Sequence, residues 1–314
     1  MASKPSYLVT LPTGRQGAST AAELLKHGRV VHALVSDKTS SRAKALEDLG
    51  CILFEGNLDD KSTIEPALQG VTGIFLNLRP AQQDPEAEIR QTRNVLDVAA
   101  SSKTVTSIVV STAIKAGKHE EYLSHDPNYA MAGFYQSKKG VEDAVRDSDI
   151  RFKTFLRPGW LMQNYLEPLW RYQYPSSYQS EHVIEVTYPP GTTAAHFDAA
   201  DVGKFAAAAF LDPEKFDGHV IELGNEQLTV EVVARTIENA TGVKMKTKYL
   251  IGDEDLERAK SFYTYGMWQW GLKENHFITN PKDMDQYQIR LTTFDEFARR
   301  EVDSLKEALN VGKK

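Results

Sequence analysis

The chain has 314 residues, of which 41% are hydrophobic and 25% are charged, and its 43 acidic and 37 basic side chains give a formal net charge of −6. This composition excludes a disordered chain, and the length suffices for a hydrophobic core in one large or two smaller domains. The mildly acidic balance argues against direct nucleic-acid binding. The single cysteine cannot form an intramolecular disulfide, and the longest apolar run, residues 205–211, is too short to cross a membrane. We therefore expect a soluble cytoplasmic protein.

Strand and helix patterns alternate over the first half of the chain. The predicted strands cover residues 7–10, 30–35, 51–54, 73–78, 107–111 and 151–156, and the predicted helices cover 19–27, 41–49, 61–68, 86–101 and 134–148. Continuous apolar runs in the strands, separated by helices about every 20–25 residues, predict a parallel sheet with helices on both faces. The predicted fold class is α/β, with a Rossmann-type doubly wound parallel sheet.

The alternation ends after Pro158. Residues 160–195 are rich in Tyr, Pro and Trp, and later segments predict helices over 197–211, 229–241 and 293–309 and a strand over 220–223. An aromatic group near the end comprises Phe262, Tyr263, Tyr265, Trp268 and Trp270. We expect a smaller α+β portion over residues 158–314, separate from a first domain over 1–157, with the segments near 197–225 packing back on that first domain.

A pair of glycines follows the first predicted strand. The segment Thr13-Gly14-Arg15-Gln16-Gly17 leads into a helix, and its glycine spacing allows a tight turn in which a pyrophosphate approaches backbone N–H groups. The strand before it and the helix after it are the context that a dinucleotide-binding turn requires. An ordinary strand-to-helix turn is the alternative.

Several motifs along the chain resemble those of one family. They are Lys44-Ala45-Leu46, Glu55-Gly56-Asn57-Leu58-Asp59-Asp60, Phe75-Leu76-Asn77-Leu78, Ser137-Lys138 followed by Val141-Glu142, Leu156-Arg157-Pro158-Gly159-Trp160-Leu161-Met162-Gln163-Asn164 and Asp198-Ala199-Ala200-Asp201-Val202-Gly203. By these motifs the chain resembles the NmrA-like family, atypical members of the short-chain dehydrogenase/reductase superfamily. The first turn of that family usually reads G-A-T-G-x-x-G, whereas here Leu11 replaces the first glycine and Pro12 removes a backbone donor. Both differences weaken the prediction of cofactor binding.

The resemblance implies an NAD(P)-binding first domain and a substrate or partner function for residues 158–314. The expected cofactor contacts are Thr13, Gly14, Arg15, Gln16, Gly17, Asn57, Leu58, Leu76, Asn77, Lys138 and Pro158. After the second strand, Ser36, Lys38 and Arg42 offer the cations and hydroxyl that suit the 2′-phosphate of NADP. Asp37 lies where an acidic residue would hold the ribose 2′-OH of NAD, which is the argument against NADP. The cations and hydroxyl favour NADP as the cofactor, and NAD is possible.

Two alignments of the catalytic residues are open. Enzymes of the superfamily reduce carbonyls with a Ser, a Tyr and a Lys four residues after the Tyr. Aligned by Ser137-Lys138, the Tyr position holds Phe134, and Lys138 binds cofactor or substrate. Aligned by spacing alone, Tyr135 and Lys139 form the pair, since residues four apart share a helix face. In the first alignment another proton donor is needed, and the candidates near in sequence are Tyr135, Tyr129 and His125.

Other site residues are expected at strand ends. Ser111 ends the fifth strand, where the superfamily places its catalytic Ser, and a hydroxyl there or on the adjacent Thr112 is suited to bond a substrate carbonyl. Trp160 and Asn164, which follow the bend at Pro158, are expected to contact substrate. The spacing of Cys and His residues does not indicate a metal site.

Three functions fit these residues. The first is a reductase that transfers hydride from NADPH to a small apolar carbonyl, enone or imine compound. The second, implied by the resemblance, is a non-catalytic NAD(P) redox sensor that regulates a partner protein. The third is a non-redox cyclase or isomerase on a nucleotide site that has decayed. The expected partners are a small-molecule substrate or a regulatory protein, and the chain is expected to be a monomer or a homodimer.

Overall fold

The structure, a computed structural model, describes residues 4–81, 84–261 and 264–312. By internal packing the chain divides into two compact units. Unit 1 comprises the described residues up to His119, with Gly133–Pro158 and Ala199–Glu222. Unit 2 comprises Glu120–Ala132, Gly159–Asp198 and the described residues from Leu223 onward. No helix within the described ranges combines the length and the apolar character that a membrane span requires.

The elements of the two units interleave along the chain. The strands are β1 (Ser6–Val9), β2 (Val30–Val35), β3 (Ile52–Glu55), β4 (Gly73–Asn77), β5 (Ser107–Ser111), β6 (Phe152–Pro158), β7 (Trp160–Leu161), β8 (Val183–Val186), β9 (Thr193–Phe197), β10 (Val220–Leu223), β11 (Glu226–Thr229) and β12 (Lys246–Tyr249). The α-helices are α1 (Arg15–Lys26), α2 (Ser41–Asp48), α3 (Lys61–Leu68), α4 (Ala87–Ser102), α5 (His119–His125), α6 (Ala132–Arg146), α7 (Trp170–Gln173), α8 (Ser177–Ser180), α9 (Ala199–Leu211), α10 (Pro213–Phe216), α11 (Val230–Thr241), α12 (Asp253–Ala259), α13 (Tyr265–Lys273), α14 (Phe294–Arg300) and α15 (Val302–Ala308). Short 3-10 helices cover Ala116–Lys118, Met162–Tyr165 and Pro281–Tyr287.

Unit 1 is built on a seven-stranded sheet with the strand order β10-β6-β5-β4-β1-β2-β3. The successive pairs from β6 to β3 are parallel. On β1, Leu8 belongs to an apolar core that it shares with α3, α4 and α6, whereas the adjacent Tyr7 packs against Phe210 of α9, with ring centroids 4.7 Å apart. Because successive strand residues point to opposite faces, helices cover both sides of the sheet. The predicted Rossmann-type doubly wound sheet is confirmed.

The site is positioned by the strand order. β1 and β4 are neighbours in the sheet, although β2 follows β1 along the chain. Strands are therefore added in opposite directions on the two sides of this pair, and such a switch point opens a crevice at the carboxyl ends of the strands. The turns after β1, β4 and β5 meet at this place, which is therefore the candidate site.

Helix α1 begins four residues before the predicted start at residue 19. Gly14 is its N-cap, with an extended backbone (φ −82°, ψ 163°), so Arg15, Gln16 and Gly17 form the first helical turn. The prediction assigned Thr13–Gly17 to the turn that leads into the helix. In the structure the Ser19 hydroxyl instead donates back to the carbonyl oxygen of Gln16 within the helix.

Two other predicted helices are divided in the structure. Of the segment 197–211, Phe197 ends β9 and only the part from Ala199 is helical. The segment 293–309 was predicted as one helix, which was wrong, because α14 and α15 are separated at Glu301. The Glu301 amide bonds the last turn of α14 and its carbonyl accepts from the first turn of α15. One amphipathic sequence pattern thus continues across a helix that is interrupted at Glu301.

Unit 2 has an aromatic core. Its strands form a three-stranded sheet, β11-β9-β7, and a separate parallel pair, β12-β8. All four tryptophans of the chain lie in this unit: Trp160, Trp170, Trp268 and Trp270. Trp268, from the aromatic group predicted in the sequence, packs against Trp160 with ring centroids 5.1 Å apart. Phe262 and Tyr263 of that group lie outside the described residues.

Candidate functional site

The turn between β1 and α1 is tightly packed at its glycines. The amide of Gly14 donates to the carbonyl oxygen of Leu11 at 3.0 Å, and Leu11 has a φ of +44°. A Cβ atom on Gly17 would lie 2.3 Å from that oxygen and 2.8 Å from the Cα of Pro12. Because these are backbone atoms, only glycine fits at position 17. The close approach of the turn to the start of α1 is what a nucleotide-binding turn requires.

The N-terminus of α1 suits an anion. Its first turn contains Arg15, Gln16 and Gly17 and has no acidic residue. The first N–H groups of a helix lack intrahelical partners, and the helix dipole favours negative charge at this end. Thr13 and Gly14 are half-buried just before the helix, and Arg15 is exposed. Together with the glycine packing, these residues fit the pyrophosphate of a dinucleotide.

Hydrogen bonds join the ends of β4 and β5 to this region. Ser111, buried at the end of β5, donates to the side-chain amide oxygen of Gln16 at 2.7 Å. Thr10, directly after β1, donates to the carbonyl oxygen of Asn77 at 2.7 Å and accepts from the Asn77 amide at 2.8 Å. The structure thus brings together Ser111, Gln16 and Asn77, which were predicted from separate motifs. Thr10 was missed because a threonine at a strand end has no distinguishing pattern.

The loop between β2 and α2 bonds mainly to itself. Asp37 accepts from the hydroxyl of Thr39 at 2.6 Å and from its backbone N–H at 2.7 Å, and these bonds hold the Asp37 pKa below its ordinary value. The hydroxyl of Ser40 donates to the carbonyl oxygen of Asp37 and accepts from the amide of Ala43 as the N-cap of α2. The hydroxyls of Thr39 and Ser40 are therefore engaged within the loop.

The remaining predicted cofactor residues differ in exposure. Ser36, Arg42 and Asn57 are exposed, Lys38, Leu58 and Asn77 are half-buried, and Leu76, Pro158 and Lys138 are buried. Asn57 accepts from the amide of Asp59 at 2.8 Å, which fixes the turn after β3. Leu76 is fully buried in the core of unit 1, so its side chain contributes to packing. The cofactor contacts of these residues stay predictions.

Lys138 is held by a buried acid that the sequence analysis missed. Its Nζ lies 2.5 Å from Oε2 of Glu88, and the hydroxyl of Ser137 donates to Oε1 of the same carboxylate at 3.0 Å. The three residues are only 2–4% exposed. The ring centroid of Phe134, one turn earlier on α6, is 5.3 Å from the Lys138 Nζ. In the sequence, Glu88 is one of three acids in the charged segment from Asp84 to Arg90, and nothing there marks it as buried.

The surroundings of α6 favour one of the two alignments. Phe134 lies against Lys138, as the alignment by Ser137-Lys138 requires. In the alternative pair, Lys139 forms an ion pair with Asp143 at 2.5 Å, and Tyr135 is buried with its ring edge-on to that of Phe134. Which residue corresponds to the superfamily tyrosine stays a prediction, with Phe134 as the candidate that these contacts favour.

Comparison with known proteins gives the family. The sequence profile of the NmrA-like family matches residues 4–297. The chain belongs to the NmrA-like family. It is 24% identical to the NmrA-like family domain-containing oxidoreductase hkm9 of Aspergillus hancockii, over 81% of this chain and 76% of the relative.

Solved structures share the fold of this NmrA-like chain. One is NmrA, a negative transcriptional regulator, in complex with NADP, with a TM-score of 0.74 and 21% identity over 97% of both chains. Another is the NADPH-dependent quinone oxidoreductase QOR2 of Escherichia coli in complex with NADPH. Its TM-score is 0.71 at 21% identity, over 94% of this chain and 99% of that one.

The Leu156-Arg157-Pro158 motif of the NmrA-like chain has a structural role. Arg157 forms two bonds to Glu142, at 2.6 and 2.8 Å, and one to Glu222 at 3.0 Å. Burial opposes the ionisation of Glu142, but the bonds and charge of Arg157 outweigh it and lower the Glu142 pKa. Thr112 donates its hydroxyl to the same carboxylate at 2.7 Å. This predicted substrate residue is engaged in the network, and its contact with substrate stays a prediction.

The other predicted substrate residues belong to unit 2. Trp160 is buried in the aromatic core, and Asn164 is half-buried in a 3-10 helix. Beside Asn164, Gln163 donates to Asp198 at 2.6 Å, and the fully buried Asp198 also accepts from Arg300 at 2.7 Å. These bonds fix the backbone on which Asn164 lies. Contacts of Trp160 and Asn164 with substrate stay predictions.

Two kinds of site are not formed by the described residues. Among them, no group of three His, Cys, Asp or Glu side chains is arranged to hold a metal ion. Cys51 is buried in unit 1, and burial raises the pKa of its thiol to about 11. A thiol with so high a pKa is a poor nucleophile at neutral pH.

Proposed function

We propose that this chain binds NAD(P)(H) and is a reductase that transfers hydride from NADPH to a small apolar carbonyl, enone or imine compound. The observation that carries the proposal is the β1–α1 turn, where the packing at Gly17 and an acid-free first helical turn fit a pyrophosphate. The names of two similar proteins support it, since one is an oxidoreductase and the other an NADPH-dependent quinone oxidoreductase.

The proposed cofactor residues lie in unit 1. The N–H groups of Gln16 and Gly17 would bind the pyrophosphate, and the cations of Lys38 and Arg42 would attract the 2′-phosphate of NADP. Bound NADPH supplies the hydride. Because Ser111 donates its only hydroxyl proton to Gln16, it would offer a ligand a lone pair rather than a proton.

The product's proton would come from water. Phe134 has no hydroxyl to donate, and the ammonium group of Lys138 is bonded to the carboxylate of Glu88 in a buried ion pair. Reduction of an enone or a quinone leaves a stabilised enolate or phenolate that takes its proton from water. The alkoxide that develops from a simple ketone is much less stable and needs a positioned proton donor in the transition state. We therefore expect conjugated acceptors to be reduced faster than isolated ketones.

The first experiment is a calorimetric titration of the purified chain with NADPH and with NADH. Assays of cofactor oxidation with quinones, enones, cyclic imines and simple ketones follow. Gly17→Ala should abolish binding, because its Cβ meets backbone atoms of Leu11 and Pro12. Gly252→Ala is the matched control, since its Cβ meets none of the described atoms within 4 Å. Failure of both dinucleotides to bind would contradict the cofactor site, and binding without any turnover would contradict the reductase.

A second function has one observation in its favour. With Phe134 at the tyrosine position and Lys138 paired with Glu88, α6 has no phenol hydroxyl one turn before the lysine. This arrangement suits a sensor that binds NAD(P)(H) without turnover and regulates a partner protein. Pull-downs from cell extract with oxidised and with reduced cofactor test it. Recovery of a partner in only one redox state, without turnover, would favour the sensor, and identical recoveries would exclude it.

A further inference from the structure

A carboxylate from β3 reaches the loop that follows β2. Val35 and Glu55 are paired in register at the ends of these strands, and the amide of Gly56 donates to the carbonyl oxygen of Val35 at 2.9 Å. One oxygen of Glu55 accepts from the backbone amide of Lys38 at 3.2 Å. Glu55 is thus an anion bonded to a loop amide, in the region where the adenine ribose of a dinucleotide is expected.

The position of Glu55 is fixed by packing around Gly56. A Cβ on Gly56 would lie 2.5 Å from the Cβ of Thr63 and 3.2 Å from a methyl group of Leu34. The backbone therefore has little room to move. The Glu55 side chain itself is exposed, so its carboxylate is open to a ligand.

Thr39, Ser40 and Asp37 bond within the loop, whereas the backbone amide of Lys38 bonds to Glu55 of β3. Thr39 and Ser40 use their hydroxyls on Asp37, and the carboxylate of Asp37 is turned to Thr39. A phosphate arriving beside Lys38 would meet its ammonium group but would also meet Glu55, which already bonds the amide. Two like charges close together disfavour each other.

We propose that Glu55 is a specificity-determining residue that weakens binding of the 2′-phosphorylated dinucleotide relative to the unphosphorylated one. The inference rests on the proposed function, because it assumes that unit 1 binds NAD(P)(H). Lys38 and Arg42 attract the 2′-phosphate, and Glu55 offsets part of that attraction by repulsion and by occupying the Lys38 amide. On this proposal we expect the chain to bind NADH as well as NADPH, although its loop carries two cations.

The test is a calorimetric titration of wild type and Glu55→Gln with NADPH and with NADH. Glutamine keeps the shape and an oxygen for the Lys38 amide but removes the charge. The NADPH dissociation constant should fall about five- to tenfold and that of NADH should change less than about twofold. The gain should shrink in roughly 1 M salt, where the screening length is about 3 Å. Glu47→Gln is the control, because it removes an exposed carboxylate that pairs with Lys44 on α2.

The possible results distinguish failure of the role proposed for Glu55 from failure of the proposed cofactor binding. Equal shifts for both dinucleotides in Glu55→Gln, no shift for either, or the same gain in Glu47→Gln would overturn the inference while cofactor binding stands. A change of preference in Asp37→Asn but not in Glu55→Gln would also overturn it. If wild type and every variant bind neither dinucleotide while unfolding cooperatively, the proposed function fails and the inference falls with it.

Discussion

At the start of the β1–α1 turn, Leu11 has a φ of +44°, in the left-handed region where a side chain crowds its own backbone. The conformation is imposed by its surroundings, because the Leu11 carbonyl accepts from Gly14 and packs against Gly17. Glycine, which has no Cβ, adopts such angles without strain. The chain therefore stores backbone strain at the turn where a nucleotide is expected.

We predict that Leu11→Gly raises the free energy of unfolding by about 1 kcal/mol, since the left-handed penalty of a side chain is about 1–2 kcal/mol and part of it is lost to the flexibility of glycine. Leu11→Ala is the control, because alanine keeps the Cβ and the strain. Urea unfolding of both variants measures the effect. Equal changes in the two variants would show that the side chain, not the backbone angle, decides stability here.

Single residues of the site were predictable to different degrees. Gly14 and Gly17 could be found because a tight turn requires their type of residue at their spacing. Glu55 and Thr10 could not, because their roles depend on which strands lie side by side. The register that pairs Val35 with Glu55 exists only once the sheet has formed.

Helices α4 and α6 are joined by the ion pair between Glu88 and Lys138, with Ser137 completing the bonds of the carboxylate. A buried charge that loses its partner is strongly unfavourable, whereas loss of both partners together is much less so. The pair therefore fixes how the two helices meet more than it adds to net stability. It also explains why the lysine of the family motif is buried in this chain.

We expect Lys138→Met and Glu88→Gln each to lower the free energy of unfolding by about 3 kcal/mol or more. The double variant should cost less than the sum of the two by about 1–3 kcal/mol. Lys61→Met is the control, because Lys61 forms an exposed ion pair with Asp97 of α4 that is worth about 0–1 kcal/mol. Chemical denaturation of the four variants measures the cycle, and strictly additive losses would contradict the coupling.

Elements were predicted best where local pattern and packing agree. The strand at Ser107–Ser111 and the helix at Lys61–Leu68 have the predicted bounds, because each is a continuous apolar or amphipathic run between clear turn signals. The start of α1 was misplaced because its cap is a glycine, a weak signal. The break at Glu301 has no Gly or Pro to mark it, so the sequence pattern runs through it.

For the molecule as a whole, acid stability is tied to a histidine in unit 2. His196 donates from Nδ1 to the carbonyl oxygen of Ala194 and accepts at Nε2 from the hydroxyl of Tyr165 at 2.9 Å, so it is neutral in the fold. Burial lowers its pKa to about 4. The unfolded chain takes up a proton near pH 6.5. The contribution of His196 is therefore fully present above that pH and is lost as the pH falls toward 4.

We predict that the free energy of unfolding falls by about 2 kcal/mol between pH 7.5 and pH 5 on account of His196, at about 1.4 kcal/mol per pH unit below 6.5. His196→Gln should be less stable at pH 7.5 but should lose most of this pH dependence. His27→Gln, on an exposed position of unit 1, is the control and should keep it. Urea unfolding across the pH range measures the slope, and an unchanged slope in His196→Gln would refute the assignment.

The distribution of the tryptophans has a practical consequence for spectroscopy. All four indoles lie in unit 2, so tryptophan fluorescence, excited at a wavelength that the tyrosines of unit 1 do not absorb, follows the unfolding of that unit. The one thiol, Cys51, is buried in unit 1 and reacts with a labelling reagent only when its surroundings open. The native chain therefore carries two independent reporters, one optical and one chemical. Recording both along a single denaturation would give the order in which the two units open, without introducing a foreign probe.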